Sequence, residues 1–507
     1  MMILMRRGWR RKLGRRYFGY SLESDRQREE LTSDAMLWCV QHGVVVRTPD
    51  SEHATQHAPV SMLPTPFSRE RFQDALRLAQ PFNELVHLIS QDQDFILNSL
   101  EATAKGDDFT GRLVDIFNTV RAEDASAANT SLGALRSDYM VDTRTNSLRQ
   151  IELNTVSSSF HALGSRISEM HRNLSTRPNA PDWLRSDRIP RNAAGDGLVR
   201  GLAAAWSQYG DEDAVVLMIT QPKERNTFDQ DWAAHGLWNR TDQRKDETSP
   251  LLPLKRIRTV RRSLAEIEER AKLSASGKLE IDGMHVAVAY YRAGYVPTDY
   301  PTEKEWSARL KIERANCIKG PSVGYQLVGT KKIQQILAQH GVVEKYLGHN
   351  TSITNDVRNS FAGLYSLTHP GDAEVEAISD ALENPDRFVL KPQREGGGYN
   401  MYGEELQNEL KRVMKLDDDD VGRDEYILME RIFPNVHPNS VLLRNGEANV
   451  VDTVSELGVY STVLSFEGRI AFSEGSSAGH LLRTKVSSSD EGGVAAGFAV
   501  LDSPLLI

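Results

Sequence analysis

The alternation of hydrophobic and polar residues predicts helices and strands mixed along the whole chain. Apolar residues recur at helical spacing from Leu31 to Gly43, and amphipathic helices are predicted over 70–125. The segment LRQIELNTV alternates strictly between apolar and polar residues, which is typical of a half-buried strand. Residues 303–345 are predicted to be helical.

Several shorter runs predict further strands. Buried strands are predicted at AVVLMIT and VAVAYYR. Two further strands, RFVLKPQ and EYILMERI, are predicted on either side of a charged helix-like segment. VVDTVSELGVY and GRIAF are predicted to form an antiparallel sheet. Because helices and strands are interspersed, the predicted fold class is α/β, or mixed α+β, with more than one layer. The sequence contains no internal repeat.

Composition narrows the classes of protein that fit. The 507 residues are 39% hydrophobic and 26% charged, the balance of a globular protein, and the length predicts about three domain-sized units. A net charge of −9 argues against nucleic acid as the main partner. No stretch reaches the ~18 apolar residues needed to cross a membrane. Cys39 and Cys317 form no paired motif, so a reducing compartment is expected.

The amino terminus is strongly basic. The first 22 residues contain six Arg, one Lys and no acidic residue. The longest apolar run there, MMILM, is shorter than the about 7–15 residues of a secretory signal. A passive extension is the favoured interpretation, and an organellar presequence stays open beside a cytoplasmic location. Residues 1–30 are therefore assigned to a basic N-terminal extension.

The glycine-rich segment KPQREGGGYN, residues 391–400, directly follows the strand RFVL. Consecutive glycines let a phosphate approach backbone N–H groups. Lys391 could meet a phosphate as a point charge, and Glu395 could hold Mg²⁺ between phosphates. The segment matches neither the Walker pattern nor GxGxxG. A nucleotide-binding loop is favoured over a surface hairpin loop.

The motif QIELN supplies two oxygen ligands. On a strand, Glu152 and Asn154 project to the same side, about 7 Å apart at their Cα atoms. Carboxylate and amide oxygens suit Mg²⁺, although this motif alone also fits an ordinary polar strand face. The following residues, Val156 to Ser159, add hydroxyl groups and backbone donors.

Three arginines are candidates for binding a carboxylate. Arg136 in RSDYM, Arg292 in YYRAGY and Arg483 in HLLRTK each offer a planar fork, although any one of them is most often a surface ion-pair partner. The formal GxSxG match in EGSSAG is rejected as a hydrolase motif because too few residues follow it. The acidic run Asp417–Asp420 is interpreted as a solvated loop.

Together these segments resemble eukaryotic glutathione synthetase of the ATP-grasp superfamily, from about Leu31 to Ile507. The resemblance is carried by RSDYM, QIELNTVSSSF, KERNTFDQ, YYRAGY, QLVGTKKIQQ, FAGLYSL, FVLKPQREGGGYNMYGEE, YILMERI, SELGVY, GHLLRTK and GGVAAGFAVLD. It implies an ATP-grasp body, a lid carrying the glycine-rich loop, and an inserted α/β substrate-binding domain. The expected divisions are 31–203, the first part of the body; 204–318, the insert; and 319–507, the body and lid.

The resemblance also implies a reaction and its components. An ATP-dependent carbon–nitrogen ligase would condense γ-glutamylcysteine with glycine through an acyl phosphate, giving glutathione, ADP and phosphate. ATP is the implied co-substrate, and one or two Mg²⁺ ions are the implied metal. The partners are small molecules, with no nucleic acid and no membrane, and a homodimer is expected.

The implied site residues fall into four groups. The catalytic residues would be Arg483, Lys391 and Glu395. The metal ligands would be Glu152, Asn154 and Glu395. ATP would contact Glu152, Lys331, Lys391, Gly396, Gly397, Gly398, Asn400, Tyr402, Met429, Glu430, Arg431, Ile432, Glu456, Lys485 and Glu491. The peptide and glycine would contact Arg136, Val156, Ser157, Ser158, Ser159, Glu224, Asn226, Gln230, Arg292, Tyr295, Arg483, Val494 and Ala495.

The sequence departs from the family pattern mainly on the acceptor side. His161 and Ala162 replace two glycines, Ala293 replaces an acid, and the stretch 461–477 has little likeness to its counterpart. Two alternatives are therefore kept beside the active ligase. One is a divergent glutathione synthetase-like protein with weak or altered acceptor use, and the other is a nucleotide-binding protein without turnover.

Overall fold

The computed structural model describes residues 22, 24–49, 51, 53–124, 129–239, 255–394, 398–417, 421–475, 478–494 and 497–507. The helices are α1 (Asp25–Gln41), α2 (Arg69–Gln91), α3 (Gln93–Gly106), α4 (Asp108–Glu123), α5 (His161–Leu174), α6 (Ala194–Tyr209), α7 (Thr227–Trp238), α8 (Leu264–Arg270), α9 (Glu303–Arg314), α10 (Val323–Val328), α11 (Lys331–Leu337), α12 (Val342–Leu347), α13 (Thr351–Ser360), α14 (Asp372–Glu383) and α15 (Gly403–Val413).

The strands are β1 (Val45–Arg47), β2 (Thr55–His57), β3 (Val60–Ser61), β4 (Thr65–Phe67), β5 (Ser131–Asp142), β6 (Ser147–Asn154), β7 (Val215–Ile219), β8 (Thr259–Arg262), β9 (Ala271–Leu273), β10 (Leu279–Ile281), β11 (Met284–Tyr291), β12 (Ile318–Gly320), β13 (Leu364–Tyr365), β14 (Phe388–Pro392), β15 (Tyr426–Glu430), β16 (His437–Arg444), β17 (Glu447–Phe466), β18 (Arg469–Glu474), β19 (His480–Val486), β20 (Ala499–Asp502) and β21 (Pro504–Leu506).

One large sheet organises the body. Its antiparallel half places β6, β5, β17 and β19 side by side, with β20 antiparallel to β19, and β3 lies parallel to β20 beyond them. Strand β16 pairs with both β3 and β17, so β16, β3, β20, β19 and β17 close into a small barrel. The strands β6, β5, β17 and β19, called here the four-strand floor, carry most of the charged residues described below.

The other half of the sheet is built on four parallel strands, and β10 and β9 extend it from β11 by antiparallel pairing. Strands β8, β7, β11 and β12 run parallel to one another, and β12 pairs with β5 through Lys319 and Ser131. Every residue of β7 is buried, as expected for a strand covered on both faces. These strands span much of the insert predicted at 204–318, whose boundaries stay a prediction.

A separate three-stranded sheet lies over the floor. Its order is β13–β15–β14, and α14 and α15 pack on it around Leu367, Phe388, Leu406 and Leu428. The segment 364–430 that contains this sheet is called the three-stranded lobe below. The glycine-rich segment begins in this lobe, with Lys391 and Pro392 at the end of β14.

The structure refines several sequence-based predictions. The strands at AVVLMIT and VAVAYYR are confirmed as β7 and β11. The predicted helical stretch 303–345 contains α9, α10, α11 and the start of α12, but the unpredicted strand β12 interrupts it and pairs with β5 and β11. Helix α1 begins at Asp25, ahead of the predicted Leu31, because Ser24 caps it.

Three further features bear on the sequence analysis. Cys39 and Cys317 are buried, and neither forms a disulfide. No helix within the described ranges has the length and apolar character to cross a bilayer. Residues 1–21, Asp418–Asp420 and the pair Ser476 and Ser477 lie outside the described residues.

Candidate active site

A cleft of about 370 Å³ lies between the four-strand floor and the three-stranded lobe. Neighbouring strands of the floor pair Asp138 with Glu152 and Glu456 with Arg483. Side chains two residues apart on a strand share one face, so each strand contributes polar groups to the same side. The pairing register thus gathers residues far apart in sequence into one surface.

A buried network of charges occupies the centre of the floor. Arg136 donates to both carboxylate oxygens of Asp138, through Nε at 2.7 Å and Nη2 at 2.8 Å. Arg483 Nη2 donates to Asp138 Oδ2 at 2.8 Å and also pairs with Glu456. Asn154 Nδ2 adds a fourth bond to Asp138, at 2.9 Å. Asp138, which is fully buried, is therefore the hub that orients both arginines.

Two lysines meet at Glu152, at the end of the cleft that faces the lobe. Lys331 Nζ lies 3.0 Å from Glu152 Oε2, and Lys391 Nζ donates to the carbonyl of Ile151 at 3.0 Å. Burial alone would raise the pKa of Glu152, but the charges of Lys331, Lys391 and Arg483 outweigh it and hold that pKa well below its usual range. The carboxylate therefore stays ionised among three cations.

The segment after β19 connects the floor to the glycine-rich segment. The Glu491 carboxylate accepts the backbone N–H groups of Gly398, at 2.9 Å, and Asn400, at 3.1 Å. Lys485 Nζ donates to the carbonyls of Asp490, at 2.6 Å, and Glu491, at 2.9 Å. Burial lowers the pKa of Lys485. An acidic side chain thus binds backbone donors of the kind that also bind phosphate.

The lobe supplies an apolar wall beside these charges. Val389 and Met429 are buried in one small cluster, with Tyr402 and Ile432 packed against it. All four residues line the cleft. A planar aromatic ring fits such a surface better than a charged group does.

A turn of small residues forms the opposite end of the cleft. Val156 to Phe160 line it, together with Tyr295. Arg292 is buried beside the turn, where it donates to the carbonyl of Ser158 and, at 2.6 Å, to Ser159 Oγ. Arg292 therefore acts on this end by holding the turn.

Asp229 fixes the conformation in which the turn enters α5. Its carboxylate accepts the backbone N–H groups of Phe160, Ala162 and Leu163 at 2.7, 3.0 and 3.1 Å. Phe160 has a φ of 69°, a left-handed conformation that costs energy for a large residue. Burial raises the pKa of Asp229, although Arg292 and the three N–H groups oppose it.

A second polar group lies behind the turn. Glu224 accepts from the Asn226 backbone N–H at 2.7 Å and from Gln230 Nε2 at 2.6 Å. Arg261 Nη2 donates to Gln230 Oε1 at 2.6 Å, which fixes the direction of that amide. The cleft lining does not include this group.

Most of the sequence-predicted site residues that the structure describes line the one cleft. Those lining it are Arg136, Glu152, Asn154, Val156, Ser157, Ser158, Ser159, Tyr295, Lys391, Asn400, Tyr402, Met429, Glu430, Arg431, Ile432, Glu456, Arg483, Lys485, Glu491 and Val494. Three residues do not line the cleft but contact residues that do: Lys331, Gly398 and Arg292. Three others lie further from the cleft, behind the turn: Glu224, Asn226 and Gln230. Those outside the described residues are Glu395, Gly396, Gly397 and Ala495.

Sequence reasoning missed two buried carboxylates. Asp138 stands two residues after Arg136, and the strand alternation that was applied to Glu152 and Asn154 would have placed it on the same face. Asp229 lies inside the motif KERNTFDQ, but its bonds to the turn before α5 leave no local sequence signal. His161 is now placed as well, with its ring stacked on Tyr460 at 4.0 Å between centroids.

The described residues hold no cluster of three His, Cys, Asp or Glu side chains suited to a metal. Glu152 and Asn154 do share one side of β6, with Asn154 Nδ2 at 3.3 Å from Glu152 Oε1. Their oxygens are of the hard type that suits Mg²⁺. A metal at this place would therefore need further oxygen ligands, such as phosphate oxygens.

The chain is similar in sequence to known proteins along almost its whole length. A family model described as the ATP-binding domain of eukaryotic glutathione synthase matches residues 25–506. The chloroplastic glutathione synthetase of Solanum lycopersicum is 42% identical, over 94% of this chain and 84% of that protein. Glutathione synthetase of Homo sapiens is 39% identical, over 96% of this chain and 98% of that protein.

A solved structure supports the fold. The apo form of a glutathione synthetase-like effector from Globodera pallida superposes with a TM-score of 0.73 and 23% identity, over 96% of this chain and all of that one. This match confirms the predicted mixed α/β fold, and the family model confirms the resemblance inferred from the motifs. The chain belongs to the eukaryotic glutathione synthetase family.

Proposed function

We propose that this protein is an ATP-dependent ligase that joins γ-glutamylcysteine to glycine and forms glutathione. The observation that carries the proposal is the convergence, in one cleft, of the strand-borne charges Arg136, Glu152, Lys391 and Arg483. Relatives that are 42% and 39% identical across nearly the whole chain confirm the predicted activity and enzyme class. They do not favour the alternative of a nucleotide-binding protein without turnover.

The end of the cleft beside the lobe suits ATP. The apolar wall of Val389 and Met429 would receive the adenine ring, and Glu456 would reach the ribose. Lys331 and Lys391 converge on Glu152 and would attract the phosphates when ATP enters. Lys331 would exchange part of its ion pair with Glu152 for contact with phosphate oxygens.

Glu152 and Asn154 are the described residues that would hold Mg²⁺. Their position beside two lysines fits a place where phosphate oxygens supply the remaining ligands. When bound, the ion neutralises part of the negative charge on the phosphates. The low pKa of Glu152 keeps this ligand ionised throughout the physiological range.

The arginines would orient the peptide carboxylate for reaction. Arg136 and Arg483 are fixed by Asp138 and offer guanidinium groups at the centre of the floor. One oxygen of the cysteinyl carboxylate would attack the γ-phosphorus of ATP, breaking its bond to the bridging oxygen and releasing ADP. The glycine amine would then attack the acyl carbon, phosphate would leave, and the new amide would lose a proton.

Product analysis tests the proposed function. The full-length protein is incubated with MgATP, γ-glutamylcysteine and glycine, and ADP and the tripeptide are both quantified. We expect one ADP for each tripeptide, and no tripeptide when any one substrate is omitted. ADP release without tripeptide would contradict the use of glycine as the acceptor, and a panel of other amino acids would then test for a different acceptor.

The assembly and the compartment stay predictions from the family resemblance. A homodimer is expected, and light scattering of the purified protein tests it. A cytoplasmic location is expected as well, whereas the name of the Solanum lycopersicum relative places that protein in the chloroplast. Imaging of full-length fusions with and without residues 1–22 tests the location.

A further inference from the structure

Two consecutive lysines begin helix α11 and reach different parts of the molecule. Lys331 Nζ pairs with Glu152 on the four-strand floor at 3.0 Å. Lys332 Nζ pairs with Asp424 in the three-stranded lobe at 2.9 Å. Successive residues of a helix are about 100° apart around its axis, so the two side chains diverge from one point. Helix α11 therefore contacts both the four-strand floor and the three-stranded lobe through neighbouring residues.

Lys332 contacts the lobe through its backbone as well as its side chain. Its backbone N–H donates to Gln393 Oε1 at 3.1 Å, just after β14. Its Nζ also lies 3.4 Å from Ser366 Oγ. These contacts reach three separate segments of the lobe: Asp424 lies before β15, Ser366 follows β13, and Gln393 follows β14. The lysine thus binds several parts of the lobe at once.

The ion pair at Lys332 is shielded from water. The side chain of Asp424 is 3% exposed and that of Lys332 is 13% exposed. Asp424 is also bound by Thr368 Oγ1, which donates to its other oxygen at 2.9 Å. A buried pair loses much more when one partner is removed than an exposed pair does, because the remaining charge is left unpaired.

We propose that Lys332 is a positioning residue that sets the lobe at the distance from Glu152 that ATP requires. It does not line the cleft, so it acts through Asp424 and Gln393. Lys391 on β14 and Met429 on β15 then keep their places opposite Glu152. The inference rests on the proposed function only in naming ATP as the molecule bound between the two walls.

The decisive measurement is the affinity for a non-hydrolysable ATP analogue with Mg²⁺, by calorimetry on the full-length protein. We expect the Kd to rise about tenfold in Lys332→Met, because the groups of the lobe that bind ATP would no longer be held opposite Glu152. Lys332→Arg, which keeps the charge, should recover most of the affinity. The matched control is Lys345→Met, which removes a half-exposed lysine that pairs with Asp92 on the same side of the body.

A second variant separates positioning from folding. Asp424→Asn should raise the Kd in the same direction, and the double variant should bind no worse than the poorer single variant, because the two residues act as one pair. At saturating ATP, the KM for γ-glutamylcysteine should stay within about twofold of wild type. A merely structural pair would lower the melting temperature and the active fraction and leave the Kd unchanged.

Three results would overturn the inference. These are an unchanged Kd in folded Lys332→Met, an equal rise in Lys345→Met, or independent effects of Lys332→Met and Asp424→Asn. If Lys332→Met does not fold, Asp424→Asn and Lys332→Arg decide the question by the same Kd measurement. A wild-type protein that binds the analogue but forms no tripeptide would refute the proposed function. The Kd values of the variants would still test the role of Lys332.

Discussion

The two ends of the cleft hold their carboxylates in different ways. At the nucleotide end, Glu152 lies among cations, and Lys331, Lys391 and Arg483 lower its pKa despite its burial. At the peptide end, Asp229 binds three backbone N–H groups, and burial raises its pKa. Glu152 is thus kept charged by neighbouring side chains, whereas Asp229 is kept in place by backbone N–H groups.

This difference shows what each end contributes. Charged side chains on rigid strands can exchange partners with phosphates without changing the backbone. The bonds of Asp229 instead fix the shape of the turn from Val156 to Phe160, which determines what can bind there. Substitution at the nucleotide end should therefore impair chemistry and ATP binding, while substitution at the peptide end should impair recognition of the peptide.

The largest effect is expected from Glu152→Gln. The change removes the negative charge that Lys331 binds and one of the two described candidates for holding Mg²⁺. We expect kcat/KM to fall by about 100-fold or more, in the range seen when a preorganised electrostatic group is lost. Steady-state rates over a series of Mg²⁺ concentrations measure it. Glu29→Gln on the exposed face of α1 is the control, and a loss of less than about threefold in Glu152→Gln would contradict the assignment.

A smaller and more selective effect is expected from Asp229→Asn. The amide has only one accepting oxygen and would turn an N–H group toward donors such as the Phe160 N–H. An unpaired buried donor costs about 1–3 kcal/mol, so we expect the KM for γ-glutamylcysteine to rise about tenfold. The Kd for the ATP analogue should change by less than about twofold. Asp196→Asn, an exposed position on α6, is the control, and equal loss of both affinities would break the comparison between the two ends.

The last prediction concerns stability rather than activity, at Asp502, a buried carboxyl that has no cation beside it among the described residues. Burial raises its pKa to about 7, although Thr65 and Thr484 donate to it. The folded protein therefore binds a proton that the unfolded chain releases at about pH 4, and the resulting stabilisation is present below that pH and is lost as the pH rises toward 7. Between about pH 5 and pH 7, the free energy of unfolding of wild type should fall by about 2 kcal/mol relative to Asp502→Asn.

Urea unfolding of both proteins at several pH values measures this difference. Comparing the two proteins removes the opposite contribution of buried histidines such as His171, whose pKa burial lowers to about 4. A constant difference across the pH range would show that Asp502 is ionised in the folded protein. It would also show that backbone and hydroxyl donors suffice to hold a charged carboxylate without a cation.

Local patterns in the sequence predicted the strand-borne part of the site. The alternation in QIELN placed Glu152 and Asn154 on one side of β6, and the structure confirms that their side chains meet. The same rule applied to RSDYM would have found Asp138 beside Arg136. Both inferences depend on the two-residue period of a strand, which is a local property.

Long-range pairing could not be predicted in the same way. The register that sets Glu456 beside Arg483 joins residues on different strands, and the closure of the barrel depends on β16 pairing with β17. Strand β12 was missed because it is only three residues long and is stabilised by β5 and β11. Asp229 reaches the turn before α5 from a different helix, so only the tertiary structure reveals its role.

The central claim is that a carboxylate of the peptide is activated by phosphoryl transfer in this cleft. The most direct test uses γ-glutamylcysteine labelled with ¹⁸O in the cysteinyl carboxylate, together with MgATP and glycine. The account predicts that one labelled oxygen appears in the inorganic phosphate for each tripeptide formed, because that oxygen attacks the γ-phosphorus and leaves with it. Tripeptide formation with unlabelled phosphate would contradict it.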